Sequence, residues 1–324
     1  MSHLITQYYQ FKLARKAVKQ HAINVVHEPA PVSPKTPSSL FGLGAPVIIG
    51  PMNGGMHFPS GFSYMEGKSE KILYGPIRFL ANFINVIMPG KLFAKVLLVA
   101  NKRTQEALPK LTSGKRIMLV ENAVDTEMWE QCERVSNKTT IDFIFMGRLT
   151  DLKCCDLLIQ AFEQIYQKHP VTLTIVGDGD DMDHLQHLAS NLIDERVVTF
   201  TGWLPPTETH KTLAASDVLV LPSVRECGGA VVLEAMALSK PVIAVNWGGP
   251  ADYITAQTGI LIEPEGPELL VRELIIAMEK MIANPILRGQ LGDAGYRRLI
   301  KQFTWQEKVE QVLEVYKQVV KEQN

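Results

Sequence analysis

Two carboxylates eight positions apart, Glu226 and Glu234, lie in the stretch VLVLPSVRECGGAVVLEAMALSKPVIAVNWGGPAD at residues 218–252. Gly228 and Gly229 stand between them, just ahead of an Ala/Leu/Met-rich run from about Ala230 to Leu238 that reads as a helix. Glycines at the start of a helix that follows a strand suit an anion, because free N–H groups and the positive helix end point at it. A carboxylate beside that positive end has another task than holding phosphate, and a sugar hydroxyl is the natural partner. The plainer alternative makes Glu226 a helix cap and leaves Glu234 on a solvated face.

The elements that must position this pair are legible around it. Val218–Leu221 is a pure aliphatic run ending at Pro222, as expected of a buried strand in a parallel sheet. Pro241 opens a second such strand, 242–245, which Gly248-Gly249-Pro250 closes. Upstream, aliphatic runs at Ile141–Met146, Val171–Val176 and Val197–Thr201 alternate with helical stretches. The first of these helices opens at Lys153 and runs to about Gln167. Short apolar strands alternating with helices predict a parallel, doubly wound sheet. The first half is less regular. It opens on a basic amphipathic helix over residues 2–20, followed by strands at Ile23–Val26 and Pro46–Ile49. A helix over roughly 69–88 and strands at Val96–Val99 and Ile117–Val120 complete it, and residues 126–140 read as a polar linker. Asn53-Gly54-Gly55 and His27 follow apolar runs, where open α/β sheets place ligands, although a lone histidine there is more often structural.

The two glutamates in E-C-G-G-A-V-V-L-E-A-M-A-L-S-K-P-V-I-A, together with G-R-L-x-x-x-K at residues 147–153, resemble the signature of the retaining family 4 glycosyltransferases. The resemblance implies an α/β GT-B fold: two Rossmann-like domains with parallel sheets, the first of them abbreviated here. It divides the chain into a partial acceptor-side domain at 1–124 and a nucleotide-sugar-binding domain at 125–302. A helix at 303–324, opened by the capping-box spacing of Thr304-Trp305-Gln306-Glu307, would cross back to the first domain. The implied reaction moves a hexose from a nucleotide-sugar to a hydroxyl acceptor (a glycan, a lipid or a small molecule) with retention.

In that scheme Glu226 is catalytic and orients the sugar through its hydroxyls, while Glu234 accepts from the ribose. Gly228, Gly229, Ala230 and Val231 supply backbone N–H groups, and Gly202, Trp203 and Leu204 lie beside the base. Arg148 and Lys153 offset the negative charge that develops on the departing diphosphate, so no metal and no cofactor is expected. Asn53, Gly54 and Gly55 are the acceptor-side candidates. Three departures stand out. Cys154 replaces the glycine that usually follows the lysine, and Ala123 replaces another in Asn122-Ala123-Val124-Asp125. Pro51 or Met52 stands where the family has its first-domain histidine. The opening strand and glycine-rich loop of full-length relatives have no counterpart. The expectation is therefore a chain that binds nucleotide-sugar but transfers weakly by itself. The alternative is a binding protein, or a subunit needing an N-terminal segment.

Composition limits the other classes. Of 324 residues 46% are hydrophobic and 21% charged, ordinary for a globular protein long enough for two domains. With no leader-like opening and no apolar run of spanning length, a cytoplasmic protein is expected, peripheral at most on the inner membrane face. Cys132, Cys154, Cys155 and Cys227 have neither zinc-knuckle nor redox spacing. Residues 1–120 hold 15 Lys/Arg against four Glu, a net +11, and residues 121–324 hold 18 against 30 acids, a net −12. The split fits an anionic membrane surface or acidic acceptor, or is a skew without function. Nucleic acid is not expected, since no basic-aromatic interleaving of the RNA-reading kind appears. Asp178, Asp180, Asp181 and Asp183 lack calcium-loop spacing and read as a helix start. Gly177-x-Gly179 lacks the third glycine of a dinucleotide site.

Overall fold

A computed structural model describes residues 2–29, 33–67, 80–129 and 139–323. It divides into two units. The first comprises Met1–Met56, Glu66–Asn122 and Gln306–Asn324, and the second His57–Met65 and Ala123–Trp305. Residues 57–65, placed within 1–124 by the sequence reading, thus belong with the second unit. Each unit is Rossmann-like, built on a wholly parallel sheet.

The first unit carries four strands in the order β1 (Val26–Glu28), β2 (Val47–Met52), β3 (Val96–Val99) and β4 (Lys115–Met118). The two edge strands depart from the expected ranges, β1 starting later and β4 earlier. At β1, pairing of Val26 with Val47 and Glu28 with Ile49 draws His27 and Glu28 into the strand. Buried Glu28 is accommodated because Gln7 Nε2 (3.0 Å) and Ser38 Oγ (2.5 Å) donate to it. At β4 the ladder starts with Lys115 opposite Val96, so backbone pairing rather than the 117–120 hydrophobic run sets its bounds. Of the helix expected at 69–88, residues 80–87 are helical, and 68–79 lie outside the described residues, as do 130–138 of the polar linker. Helix Ser2–Gln20 packs Phe11, Ala14 and Val18 onto the core made by Leu40, Val47, Ile49 and Leu97. Helix Trp305–Lys321 buries Val315 and Val319 against Ile48, Val96 and Leu98 on the other sheet face. His27 uses both ring nitrogens here, one 2.5 Å from the Tyr316 hydroxyl and the other 2.6 Å from the Gly50 carbonyl. It is a structural histidine.

The second unit has six strands, ordered β10 (Gly259–Ile262), β9 (Val242–Val245), β8 (Val218–Leu221), β5 (Ile141–Met146), β6 (Val171–Val176) and β7 (Val198–Gly202). Strands β5, β6, β8 and β9 coincide with the aliphatic runs, and β7 runs one residue later. β10 was not anticipated. Its G-I-L-I core pairs in register with all of β9 and is apolar enough to have been seen. Every residue of β8 and β9 is buried, as helices on both faces require. The chain enters at the centre of the sheet with β5, winds outward through β6 and β7, then returns to lay β8 on β5's other side. The gap between the carboxyl ends of β5 and β8 is thus a topological switch point, where open α/β sheets form their ligand crevice.

Candidate active site

The turn leaving β5 carries Arg148 and Lys153, and the turn leaving β8 carries Glu226, so the switch point brings together residues more than 70 positions apart. The first turn is anchored by backbone. Gly147 N–H donates to the Val176 carbonyl (3.0 Å), and Leu149 N–H to the Asp178 carbonyl (2.9 Å). Gly177 and Gly179 are needed for that approach, since a Cβ on either would run into the carbonyl oxygen of Gly147 or Leu149. Their glycine pattern therefore serves packing. Of the four aspartates nearby, Asp178 accepts from Gly179 N–H (2.7 Å) and Asp183 sits in the first turn of helix Met182–Leu188. The acidic run does begin a helix.

Lys153 ends a 3₁₀ turn, Asp151–Lys153, and Cys154 follows in the left-handed conformation at φ 49°. That is a backbone shape glycine adopts freely and other residues at a cost of roughly 1–2 kcal/mol. The chain therefore keeps the turn of the family motif while carrying a side chain there. Burial is the first reason the Cys154 thiol is pushed up to about 12, with Asp156 adding to it. Such a thiol is inert. The turn is fixed to the next one by Val224 N–H donating to the Leu152 carbonyl (3.1 Å).

The Glu226 carboxylate is doubly held. One oxygen takes a short ion pair from Lys153 Nζ, the other accepts from Gly229 N–H at 3.1 Å, and both side chains are largely buried. Gly229 precedes helix Ala230–Ala237 at φ 67°, a left-handed shape that favours glycine, and a Cβ there would press on Glu226 Cγ at 3.2 Å. The helix-cap reading of Glu226 and the ligand reading therefore describe the same place. The carboxylate sits on a lysine and an N–H group at a helix start, a seat made for an anion.

Glu234, two turns along that helix, is half-buried. Among the described residues no hydrogen bond or ion pair reaches its carboxylate. Burial alone raises it from 4.5 to about 7. It is a carboxylate waiting for donors. Arg148 is exposed, and its guanidinium is unpaired among the described residues. Gly202 takes φ 70° with open space around it, Trp203 is 71% exposed and Leu204 half-buried. Ala230 is exposed and Gly228 and Val231 half-buried at the helix mouth.

Sequence reasoning missed the segment 57–65. Phe58 lies under the Arg225 guanidinium (4.8 Å), Trp247 Nε1 donates to the His57 carbonyl (2.8 Å), and Gly61 packs on the Glu265–Gly266 backbone. Phe62 and Tyr64 wall a cavity of about 260 Å³ with Asp151, Cys154 and His184 behind the Lys153 turn. The glycine at 61, which leaves no room for a side chain, was the available signal. In the first unit, Asn53 donates to Glu121 and accepts from Asn101 (3.3 Å) and Thr104 (3.4 Å). Gly55 at φ 72° would drive a Cβ into Ala107 (2.7 Å), and Gly54 one into Pro34 (2.9 Å). Packing accounts for both of these glycines. Among the described residues no three His, Cys, Asp or Glu side chains cluster as a metal site would need, and no helix is long and apolar enough to cross a membrane.

Anchored turns at a switch point, an anion seat and an unsatisfied carboxylate come together in the second unit of a GT-B-like α/β fold. Residues 130–298, just over half of the chain, match the model of the family described as glycosyl transferases group 1, and the chain belongs to that family. It is 31% identical over 202 residues to a glycogen synthase of Mycobacterium tuberculosis, covering 62% of this chain and 48% of the relative. The chain spans about half the length of the curated relatives it matches. Its fold resembles that of a glycosyltransferase from Rickettsia africae, with TM-score 0.69, 18% identity, and coverage of 98% of this chain and 82% of the other. It also resembles Anabaena HepE in complex with UDP-glucose, at TM-score 0.65, 18% identity, and 95% and 81% coverage.

Proposed function

We propose that this chain is a retaining, family 4-type glycosyltransferase that holds a nucleotide-sugar at the β5–β8 switch point and passes its hexose to a hydroxyl. The observation that carries the reading is the anion already seated there. Lys153 Nζ and Gly229 N–H converge on the Glu226 carboxylate, and an oxygen of a diphosphate fits the same two donors. Arg148, exposed at the mouth, adds a second cation. On donor binding the diphosphate takes over Lys153 and the helix amides. Glu226 is released to accept from the sugar hydroxyls and hold the ring for reaction. The charge that builds on the leaving diphosphate falls on Arg148, Lys153 and the helix start, without need of a metal. Glu234 accepts from the ribose, and the exposed backbone at Gly202–Leu204 flanks the base. The UDP-glucose complex of HepE, similar in fold, supports a uridine or related nucleotide as the first donor to try.

Calorimetry with nucleoside diphosphate tests this. Arg148→Ala and Lys153→Ala each lower affinity by about 1.5–3 kcal/mol, the worth of a hydrogen bond to a charged group, and leave free nucleoside unaffected. Glu226→Gln vacates the seat, so it raises affinity for nucleoside diphosphate, by about tenfold for 1.4 kcal/mol, while abolishing hexose transfer. Equal losses for nucleoside and diphosphate in the Arg148 and Lys153 variants would refute the site. An unchanged diphosphate affinity in Glu226→Gln would refute the exchange.

A further inference from the structure

Helix Ser2–Gln20 is amphipathic twice over. One face, with Phe11, Ala14 and Val18, is fixed on the first unit's core. The opposite face carries Ile5, Tyr9 and Leu13 at four-residue spacing, exposed by 54%, 58% and 66%, with Tyr8 beside them at 53%. A row of large apolar side chains facing water on a helix already packed by its other side needs a second partner. The flanks say which kind. Lys12, Arg15, Lys16 and Lys19 border the row, and the helix contains no acid. Lys12 Nζ lies 4.6 Å over the Tyr8 ring, and an open concavity of about 640 Å³ runs between the aromatic and basic side chains. On the packed side, aromatic contacts run from the helix onto the first unit. Phe11 stacks on Phe41 (6.1 Å), Phe41 lies 6.5 Å from Phe93, and Phe93 is 69% exposed.

We propose that this face is a docking surface for an anionic lipid bilayer. The helix would lie in the headgroup layer with Ile5, Tyr9 and Leu13 immersed and the four cations against lipid phosphates. Protein–protein interfaces exclude lysine from their cores, whereas three lysines frame this row. An interfacial helix wants just that combination: tyrosine at the polar boundary, aliphatic side chains below it, and long basic stems that reach up to the phosphates. The +11 charge of residues 1–120 supplies long-range attraction to the same surface. The inference is independent of the proposed transfer reaction, since it uses none of the residues assigned to the donor.

Sedimentation of the whole chain with phosphatidylglycerol-containing vesicles, and with phosphatidylcholine vesicles alone, tests it. Binding to the anionic vesicles is expected to be at least about tenfold tighter, and to weaken as salt shortens the Debye length. Lys16→Gln costs about fivefold, the worth of one cation near an anionic surface. Leu13→Ser and Tyr9→Ser each cost about tenfold even at low salt, through lost apolar immersion, with an unchanged melting temperature because both side chains face water. Absence of binding to anionic vesicles at low salt overturns the proposal. Leu13→Ser and Tyr9→Ser both binding as the unmodified chain does also overturn it, leaving plain charge adsorption. Preference for single-stranded nucleic acid over the anionic vesicles would replace it with a different partner.

Discussion

Replacing Glu234 by Gln separates what the buried carboxylate costs the fold from what it gives a ligand. Its folded value of about 7 lies some 2.5 units above the ordinary 4.5, and burial is the whole cause. At 1.36 kcal/mol per unit the ceiling on the cost is about 3 kcal/mol, and partial solvent access lowers it to roughly 1–3 kcal/mol. Between pH 4.5 and 7 the folded chain keeps a proton that the unfolded chain has released. Stability therefore falls as pH rises through that window and is flat above it. Glu234→Gln stays neutral throughout, so in urea unfolding it should match the parent at pH 4.5 and exceed it by roughly 1–3 kcal/mol at pH 8. Binding runs the other way. A ribose diol needs the ionised acceptor, so parental affinity for nucleoside diphosphate should climb between pH 6 and 8, with proton release on binding near neutrality. The variant should be weaker by roughly 1.5–3 kcal/mol, with that climb lost. A variant advantage of equal size at pH 4.5 and pH 8 would refute the burial argument. A pH-independent parental affinity would refute the role in binding.

Chelation with EDTA should leave nucleoside diphosphate affinity unchanged, because Arg148, Lys153 and the helix start already oppose the charge. A large loss restored by magnesium or manganese would overturn that. Cys154→Gly should keep stability within about 1 kcal/mol, since relief of left-handed strain offsets the added freedom of the unfolded chain. Cys154→Val, with a branched side chain at the same positive φ, should cost more than about 2 kcal/mol in urea unfolding. Similar stabilities for the two variants would show that the strain is absent.

The parts of the fold that could be read in advance were those set by burial on both faces. Val218–Leu221 and Val242–Val245 are aliphatic without interruption because helices cover the sheet above and below. The edge strands β1 and β4 were misplaced because their bounds follow hydrogen-bond pairing to a neighbour, which a hydrophobic run does not report. Lys153 and Glu226 could each be singled out by motif. Their ion pair could not, because it spans 73 residues and depends on the order in which strands join the sheet. Gly54 and Gly55 looked like ligand-facing residues, and in each case a side-chain neighbour stands where a Cβ would go. The departure at Cys154 is understood only once its φ is known.

The place of β5 in the sheet also bears on the order of assembly. Its pairing with β6 joins Ile141 to Val171, a local contact, whereas its seam with β8 is closed by Asp142 and Asp217. Asp142 N–H donates to Asp217 Oδ2 (2.9 Å) and Asp217 N–H to the Asp142 carbonyl (2.8 Å), across 75 residues of chain. Closing a loop of that length costs roughly 4 kcal/mol of chain entropy before any contact compensates. By sequence separation the β5–β8 seam is expected to knit after the β5–β6 pairing. Lys153 stands on one bank of that seam and Gly229 on the other. A ligand anion held by both would act as a stitch, so its binding is expected to slow the unfolding of the second unit as well.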